Sequence, residues 1–461
     1  MKRDKNGPRT ALIRPRYAGW DPEFQEPLGA EAIAGYLGEH GLKARVFDRM
    51  LGASLGDIEE YDPDFVGFSL MTEPDAPDAL RLRQTLEKPG RRFFAGGLFV
   101  TCSPSRARAL FPSDTVLIPG EGEGPVFELV TEGAVRGELR PGPDDWAFAS
   151  REHLDEYLAR GGVINIRASR GCRGGCAFCS TPSCLAPGGY EARDVGRVAD
   201  EMRALCLAGY APVFNFTDDM FGDHLRILAL TEELKKRGVR AAFSLEMRAL
   251  EVCGTPPGLW RTLHEGGLCR VFTGLESLNG NTLRAWRKHV DTEKLIPALK
   301  IMRASGVACE VGYILWHAAT EPADAAAEAE ALHRLGLLSP KTALSRLILF
   351  PGSLLHRESG LSGVEMCALR PGARELYGEW ERRLRPLAPL WVSASAAHPR
   401  AVCEAFLSGD RRVPDALEGC LSRLKDLTWR ALGEEARADE KECEEIESEL
   451  RTLHIACAER R

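Results

Sequence analysis

The sequence predicts an α/β protein with three parts: an N-terminal doubly wound (Rossmann-like) domain, a partial (β/α)6 barrel of the TIM type and a helical C-terminal region. Three observations predict this. Short apolar runs alternate with helical stretches over residues 10–130, a second alternating series covers residues 163–352, and the pattern is helical from about residue 370 onward. Strands that alternate with helices form parallel sheets, and such sheets bind ligands at the carboxyl ends of their strands.

In the first series, the apolar runs predict strands and the stretches between them predict helices. The strands are 10–15, 44–48, 63–70, 92–97 and the start of 115–130, and the helices are 29–41, 76–88, 105–112 and the end of 115–130. Apolar residues recur at helical spacing in 29–41, and Gly41 follows as a stop signal. The loops after the strands carry polar residues and glycines, which places these residues at one edge of the sheet.

The second series predicts six strands, with chemistry at their carboxyl ends. These strands are 163–169, 211–219, 241–248, 269–277, 308–316 and 342–352. A turn-rich stretch at 140–145 marks a linker, so we expect domain boundaries of 1–130, 131–162, 163–360 and 361–461. We expect the helical C-terminal region to cap the barrel mouth and to end in a charged, solvated helix.

Composition excludes several classes of protein. The 461 residues include 60 basic and 67 acidic ones, a net charge of −7, which argues against a nucleic-acid partner. No apolar run approaches the ~18–20 residues of a membrane span, and the start of the chain lacks the apolar segment of a secretory signal. We therefore expect no membrane partner and a cytoplasmic location. Most of the 14 cysteines are single, as expected of buried thiols that act as small apolar groups.

One cluster of cysteines is different. RGCRGGCAFCS spaces Cys172, Cys176 and Cys179 as C-x3-C-x2-C directly after a predicted strand. Thiolates suit zinc and iron–sulfur clusters, but a structural zinc site wants four ligands, typically as two separated pairs. A 4Fe-4S cluster held by three thiolates would keep one iron open for a ligand. Chance cysteines or zinc remain the alternatives, and Cys184 is interpreted as a non-ligand.

This spacing, with an aromatic residue before the last cysteine, resembles the signature of the radical S-adenosylmethionine (SAM) enzymes. The resemblance implies that Cys172, Cys176 and Cys179 hold a 4Fe-4S cluster whose open iron binds SAM, which is cleaved to a 5′-deoxyadenosyl radical. It extends to the later segments NFTDDMF, SLEMRA and GLES. It therefore also implies contacts with SAM by Asp218, Asp219, Glu246, Arg248 and Glu276. For Glu276, a barrel-lining glutamate paired with a neighbouring arginine remains the alternative.

The N-terminal part resembles the cobalamin-binding domain that precedes the cluster domain in some radical SAM proteins. The matching features, in order, are PLGAEAIAGYL, VFDR, PDFVGFSLMT, FFAGG and IPGEGEGP. Met50 stands where cobalamin domains that ligate cobalt have histidine, so bound cobalamin would lack that ligand. Glu121 and Glu123 could simply be solvated. The resemblance implies that cobalamin is held by a set of loop residues: Ser69, Thr72, Gly96, Gly97, Gly120 and Gly122.

The resemblance favours a cobalamin-dependent radical SAM methyltransferase that methylates an unactivated carbon through methylcobalamin. The alternatives are a radical cyclisation or rearrangement enzyme without methyl transfer, and a non-catalytic cobalamin or iron–sulfur sensor. Complete cluster spacing and polar residues on successive barrel strands argue against the sensor. We expect a small natural-product precursor or a peptide as substrate, and flavodoxin or ferredoxin as electron donor.

Overall fold

The computed structural model describes residues 7–16, 26–186, 189–433 and 440–459. The strands within these residues are β1 Arg9–Arg14, β2 Lys43–Asp48, β3 Phe65–Ser69, β4 Arg92–Gly96, β5 Val116–Ile118, β6 Ile164–Ile166, β7 Ser169–Arg170, β8 Glu191–Ala192, β9 Val213–Phe216, β10 Ala242–Glu246, β11 Leu268–Glu276, β12 Ala308–Tyr313, β13 Ile348–Leu349 and β14 Glu365–Met366. The helices are α1 Leu28–Glu39, α2 Leu55–Tyr61, α3 Ala76–Thr85, α4 Leu98–Cys102, α5 Pro104–Leu110, α6 Glu123–Glu132, α7 Leu154–Ala159, α8 Val195–Leu207, α9 His224–Lys236, α10 Ala249–Gly254, α11 Leu259–Glu265, α12 Gly280–Ala285, α13 Thr292–Ala304, α14 Pro322–Arg334, α15 Pro340–Ala343, α16 Leu354–Ser359, α17 Pro371–Leu384, α18 Leu387–Ser408, α19 Arg412–Leu432 and α20 Glu440–Glu459.

The N-terminal part is a parallel sheet with the strand order β2-β1-β3-β4-β5, which confirms the predicted doubly wound domain. Its apolar side chains form a separate core on each face of the sheet. A sheet covered on both faces needs nearly continuous apolar strands, as in the FVGFS of β3. The strand order reverses between β1 and β3, and this switch point is where ligands bind in such sheets.

The second part is a parallel sheet of the barrel type with the order β12-β11-β10-β9-β6. Along β11, buried residues such as Val271 and Leu275 alternate with half-buried ones and pack under the helices. The half-buried Arg270, Phe272 and Glu276 therefore face the barrel lumen, because side chains alternate between the faces of a strand.

The last predicted strand, 342–352, differs from the structure. Residues Pro340–Ala343 form a helix, because Ser339 accepts from the Thr342 amide as an N-cap and proline follows it. Within the described part of the chain, the barrel continues after β12 as a parallel bridge between Trp316 and Arg346. After the bridge, β13 pairs antiparallel with β14.

Helix α18 of the C-terminal region lies at the base of the barrel and not at its mouth. In α18, Val402 and Cys403 pack against Val213, Ala242 and Cys269, which lie at the amino ends of β9, β10 and β11. A partial barrel leaves these apolar side chains open at its base, and α18 covers them. At the carboxyl end, the segment 344–367 lies beside the cysteine loop, where Leu355 donates its amide to the Ala177 carbonyl (2.9 Å). Among the described helices, none is both long and apolar enough to cross a membrane.

Candidate functional site

A cavity of about 400 Å³ opens at the carboxyl edge of the N-terminal sheet. Its lining is largely apolar, and its glycines and hydroxyl groups come from the loops after β3, β4 and β5. The predicted residues among its lining are Ser69, Gly96, Gly97, Gly120 and Gly122. Thr72 lies outside this set, one position beyond the lining residue Met71. Arg167 and Thr217, which follow β6 and β9, also line the cavity, so both domains build it.

Two glycines show where the main chain of the cavity wall is tightly packed and where it is open. Gly97 has φ +97°, and a Cβ there would lie 2.5 Å from the Leu70 carbonyl oxygen. Gly120 has φ +80° and would meet nothing within 4 Å, so its backbone faces open space. A ligand can therefore approach the main chain at Gly120, while Gly97 allows the β3 and β4 loops to touch. The apolar lining and the open main chain at Gly120 thus fit part of a large cofactor such as cobalamin.

The three predicted cluster cysteines lie together on the loop after β7. A Cβ on Gly174 would lie 3.4 Å from the Cys172 sulfur, 4.0 Å from the Cys176 sulfur and 3.9 Å from Nε of Arg248. Burial raises the pKa of the thiols of Cys172 and Cys176, and Cys179 adds its charge to both. Among the described residues, no three metal-ligating side chains converge on one point; thiolates of a cluster bind different irons and need not converge.

Backbone and aromatic contacts fix the cysteine loop. The Ala177 amide donates to the Trp286 carbonyl (2.7 Å), and the Phe178 ring packs edge-on against Trp286 at 5.6 Å. Gly171, with φ +77°, starts the loop where a Cβ would collide with the Gly189 carbonyl oxygen at 2.2 Å. Cys184 donates to the Thr101 carbonyl (3.3 Å).

The two predicted aspartates after β9 have different surroundings. Asp218 is 2% exposed, and its Oδ1 accepts from the Ala168 amide (2.9 Å) and the Ser169 hydroxyl (2.8 Å). Burial raises the pKa of Asp218 to about 7. Asp219 is exposed and accepts from the Thr181 hydroxyl at 3.2 Å. Asp218 thus holds the strand that leads into the cysteine loop, and Asp219 is the one free to meet a ligand.

The SLEMRA segment brings a carboxylate and a guanidinium to the lumen side of the loop. Glu246 ends β10 with its side chain open to the lumen. Loss of hydration among the surrounding protein atoms raises the pKa of Glu246 to about 7, and the negative charge of Asp219 adds to this effect. Arg248 is the N-cap residue directly before α10, and its Nε lies 3.5 Å from Oε2 of Glu251.

Glu276 has a strained backbone at the end of β11. Its φ is +67°, which is rare for a residue with a side chain. Its carboxylate folds back over Gly274, where a Cβ would lie 2.0 Å from Oε1, and pairs with Lys288 Nζ at 3.1 Å. The partner is therefore lysine, not the arginine of the alternative interpretation. The positive charge of Lys288 also reaches Cys176, whose pKa it lowers against the larger effect of burial.

Sequence reasoning missed a buried group of charges between the cavity and the cysteine loop. Glu123 is 3% exposed, and its Oε1 accepts from Arg167 (2.9 Å) and from Arg170. Arg170 also pairs with Glu121 at 2.9 Å. Glu123 is therefore not solvated. The ion pairs of the glutamates after β5 join the two domains, so they could be found only once the contact between the domains was known.

Comparisons with known proteins agree with this architecture. The B12 binding domain model matches residues 22–130, and the Radical SAM superfamily model matches residues 166–326. The chain is 25% identical over 322 residues to the hopanoid C-3 methylase of Methylococcus capsulatus, covering 63% of this chain and 61% of that one. It is 27% identical over 269 residues to the bacteriochlorophyllide d C-12(1)-methyltransferase of Chlorobaculum tepidum, covering 54% of this chain and 56% of that one.

The chain thus spans about three fifths of the length of these curated relatives. Among solved structures, the fold is similar to that of the cobalamin-dependent S-adenosylmethionine radical enzyme OxsB with aqua-cobalamin bound. The TM-score is 0.72 at 15% identity, over 98% of this chain and 80% of that one. The order of domains predicted from the sequence is confirmed. The chain therefore carries a B12-binding domain followed by a radical SAM domain.

Proposed function

We propose that this chain is a cobalamin-dependent radical SAM methyltransferase that methylates an unactivated carbon of a small molecule. The observation that carries the proposal is the cavity built by both domains. Arg167 lines the cavity, and the cysteine loop begins five residues later at Cys172. A cobalamin bound along the β3, β4 and β5 loops would then sit beside the barrel that holds the cluster, as transfer of a methyl group to a barrel-bound carbon requires.

The residues assigned to each cofactor follow from their positions. We assign the cluster to Cys172, Cys176 and Cys179. When bound, the cluster and SAM would supply a carbon-centred radical, and cobalamin would supply the methyl group. Arg248 stands near Cys172 and is suited to a carboxylate such as that of SAM, because guanidinium binds carboxylates with two parallel hydrogen bonds.

The lumen offers further polar contacts to SAM. Glu246 and Asp219 face the same space, and each can accept a hydrogen bond from a hydroxyl or an ammonium group. Glu276 is held in place by Lys288 and by its strained backbone. Asp218 is assigned a supporting role, because its Oδ1 is already occupied by the chain before the cysteine loop.

The segment beside the cysteine loop is proposed as the substrate entrance. It carries four large apolar side chains that are unusually exposed: Ile348 (37%), Phe350 (36%), Val364 (48%) and Met366 (58%). Ile348 and Met366 are paired across β13 and β14, and exposed apolar side chains that form one patch mark a binding surface. We therefore expect a substrate with an apolar face.

Cofactor content and product analysis test the proposal. Protein purified without oxygen from cells supplied with cobalamin should contain about four irons and one corrinoid per chain. With an accepted substrate, SAM should yield both 5′-deoxyadenosine and S-adenosylhomocysteine. Four irons without corrinoid, even after reconstitution, or 5′-deoxyadenosine without S-adenosylhomocysteine, would favour radical rearrangement. An absence of any SAM cleavage under reducing conditions would favour a sensor.

A further inference from the structure

A single arginine joins the wall of the cavity to the start of the cysteine loop. Arg170 is the last residue of β7, two positions before Cys172. Its guanidinium binds Glu121 through one nitrogen (2.9 Å) and Glu123 through another. Both glutamates belong to the segment 120–123, here called the cavity loop, which lines the cavity and ends at the first residue of α6.

The surroundings of Arg170 make this connection stiff. Its side chain is 10% exposed, and its guanidinium carbon lies 3.9 Å from the centre of the Trp146 ring. Trp146 is itself 1% exposed and donates Nε1–H to the Pro141 carbonyl at 3.2 Å. The linker, the cavity loop and the cysteine loop therefore meet at one planar cation, whose fork fixes the direction of each carboxylate.

The buried charge of Glu123 is balanced only while its ion pairs with Arg167 and Arg170 are intact. Burial by itself would raise the pKa of Glu123, but Arg167 and Arg170 hold that pKa below its ordinary value, so the carboxylate stays charged. A buried charge that loses its partner is strongly unfavourable. The cavity loop and the chain before Cys172 are therefore expected to move together.

We propose that Arg170 is a positioning residue that couples occupancy of the cavity to the cysteine loop, so that cluster and cobalamin bind cooperatively. This rests on the proposed function, because it requires that the chain binds both groups. A ligand against Gly120 and Gly122 would fix the loop that carries Glu121 and Glu123, and Arg170 would pass that order to Cys172. By linkage, a cluster on the cysteine loop would strengthen cobalamin binding by the same factor.

The test measures the dissociation constant of hydroxocobalamin for the full chain with and without its cluster. We expect the cluster-loaded wild type to bind at least about fivefold more tightly, the low end of typical coupling. Arg170→Met and Glu123→Gln should reduce this ratio to about one while iron content stays near that of the wild type. Arg170→Lys should retain only part of the ratio, because one ammonium cannot reproduce the fork to two carboxylates.

Arg83→Met is the matched control. Arg83 is also a buried arginine (8% exposed), pairs with Asp114 at 2.6 Å and stacks on Phe93 at 4.8 Å, but it lies within the N-terminal domain. Its variant should keep the wild-type ratio even where stability falls. If Arg170→Met fails to fold, Glu123→Gln and Arg170→Lys carry the test.

Two results would overturn the proposal. One is a wild type that binds cobalamin equally with and without cluster; the other is a wild-type ratio in both Arg170→Met and Glu123→Gln. A wild type that binds no cobalamin in either state would instead refute the proposed function itself. Loss of coupling in the variants without loss of iron separates positioning from simple damage to the cluster site.

Discussion

Gly97→Ala is expected to disturb the cavity wall far more than an alanine at another left-handed glycine. Gly97 has φ 97° and ψ −174°, a region that residues with side chains adopt at a cost of about 1–3 kcal/mol. Its new Cβ would also lie 2.5 Å from the oxygen and 2.9 Å from the nitrogen of Leu70, both main-chain atoms.

Leu70 has little freedom to move away from that Cβ. Its amide donates to the Gly96 carbonyl (3.0 Å), and its carbonyl accepts from the Phe99 amide (3.1 Å). Overpacking costs about 1–3 kcal/mol, and each strained hydrogen bond adds up to about 1 kcal/mol. We therefore expect Gly97→Ala to destabilise the N-terminal domain by about 2–8 kcal/mol, the sum of backbone strain, overpacking and two strained hydrogen bonds.

Gly90→Ala is the matched control in the same domain. Gly90 has φ +86°, but a Cβ there meets nothing within 4 Å. Only backbone strain remains, at about 1–2 kcal/mol. The difference between the two variants therefore isolates the contact with Leu70.

Hydrogen exchange of the β3 and β4 amides in the cofactor-free protein measures the difference, because it reports local opening. We expect protection in Gly97→Ala to fall at least about tenfold further than in Gly90→Ala, which corresponds to about 1.4 kcal/mol. Corrinoid affinity should fall in Gly97→Ala alone. Equal protection in the two variants would refute the proposed clash, and unchanged corrinoid affinity would refute the role of Gly97 in the cavity.

Three further predictions follow from the site and from the domain contact. Cys172→Ala should lose iron and abolish 5′-deoxyadenosine formation, whereas Cys184→Ser should keep both; substantial SAM cleavage by Cys172→Ala would refute the cluster assignment. Burial and the nearby Glu26 raise the pKa of Glu31 from 4.5 to about 8, and both carboxyl oxygens are buried without a hydrogen-bond partner among the described residues. Between those pH values the folded chain holds a proton that the unfolded chain releases, so the free energy of unfolding falls as pH rises. In urea unfolding, Glu31→Gln should make this fall less steep, and its free energy of unfolding should exceed that of the wild type at pH 8. An unchanged pH dependence would contradict the raised pKa of Glu31. Gly274→Ala should displace Glu276 and Lys288, whose flexible ends it meets at 2.0 and 2.6 Å, and should weaken SAM binding in equilibrium dialysis with little change in unfolding temperature; unchanged binding would remove Glu276 from the site.

Local patterns were enough to predict most of the elements. The N-terminal strands and the strands from β9 to β12 lie within the predicted ranges or within one residue of them, because buried parallel strands are short, continuous apolar runs between turns. The cysteine loop could be predicted because its three cysteines lie within eight residues of one another. The helix at Pro340–Ala343 was missed, although Ser339 and Pro340 are ordinary helix-start signals, since the apolar run after it dominated the pattern.

Contacts across long separations could not be predicted in this way. Glu123 lies 44 residues before Arg167 and 47 before Arg170, and no spacing rule connects such pairs. The position of α18 beneath the barrel could not be predicted either, because its apolar face could pack against any exposed apolar surface. Lys288 lies only 12 residues after Glu276, but their contact depends on the positive φ of Glu276, which the residue type does not favour.

The charged residues between the domains determine the relative orientation of the two domains more than they contribute to the stability of the fold. Besides the Arg170 group, Glu26 of the N-terminal part accepts from Arg151 (2.8 Å) and from the Asn165 amide of the barrel (3.0 Å), and Arg151 also reaches Glu201 (3.2 Å). Buried ion pairs stabilise little relative to apolar packing, but misalignment leaves unpaired charges, which is costly. Two such groups at separate points permit one relative placement of the domains. Because each sheet presents its ligand-binding edge at the carboxyl ends of its strands, that placement decides whether the two edges face each other, and Arg167 and Thr217 in the cavity wall show that they do.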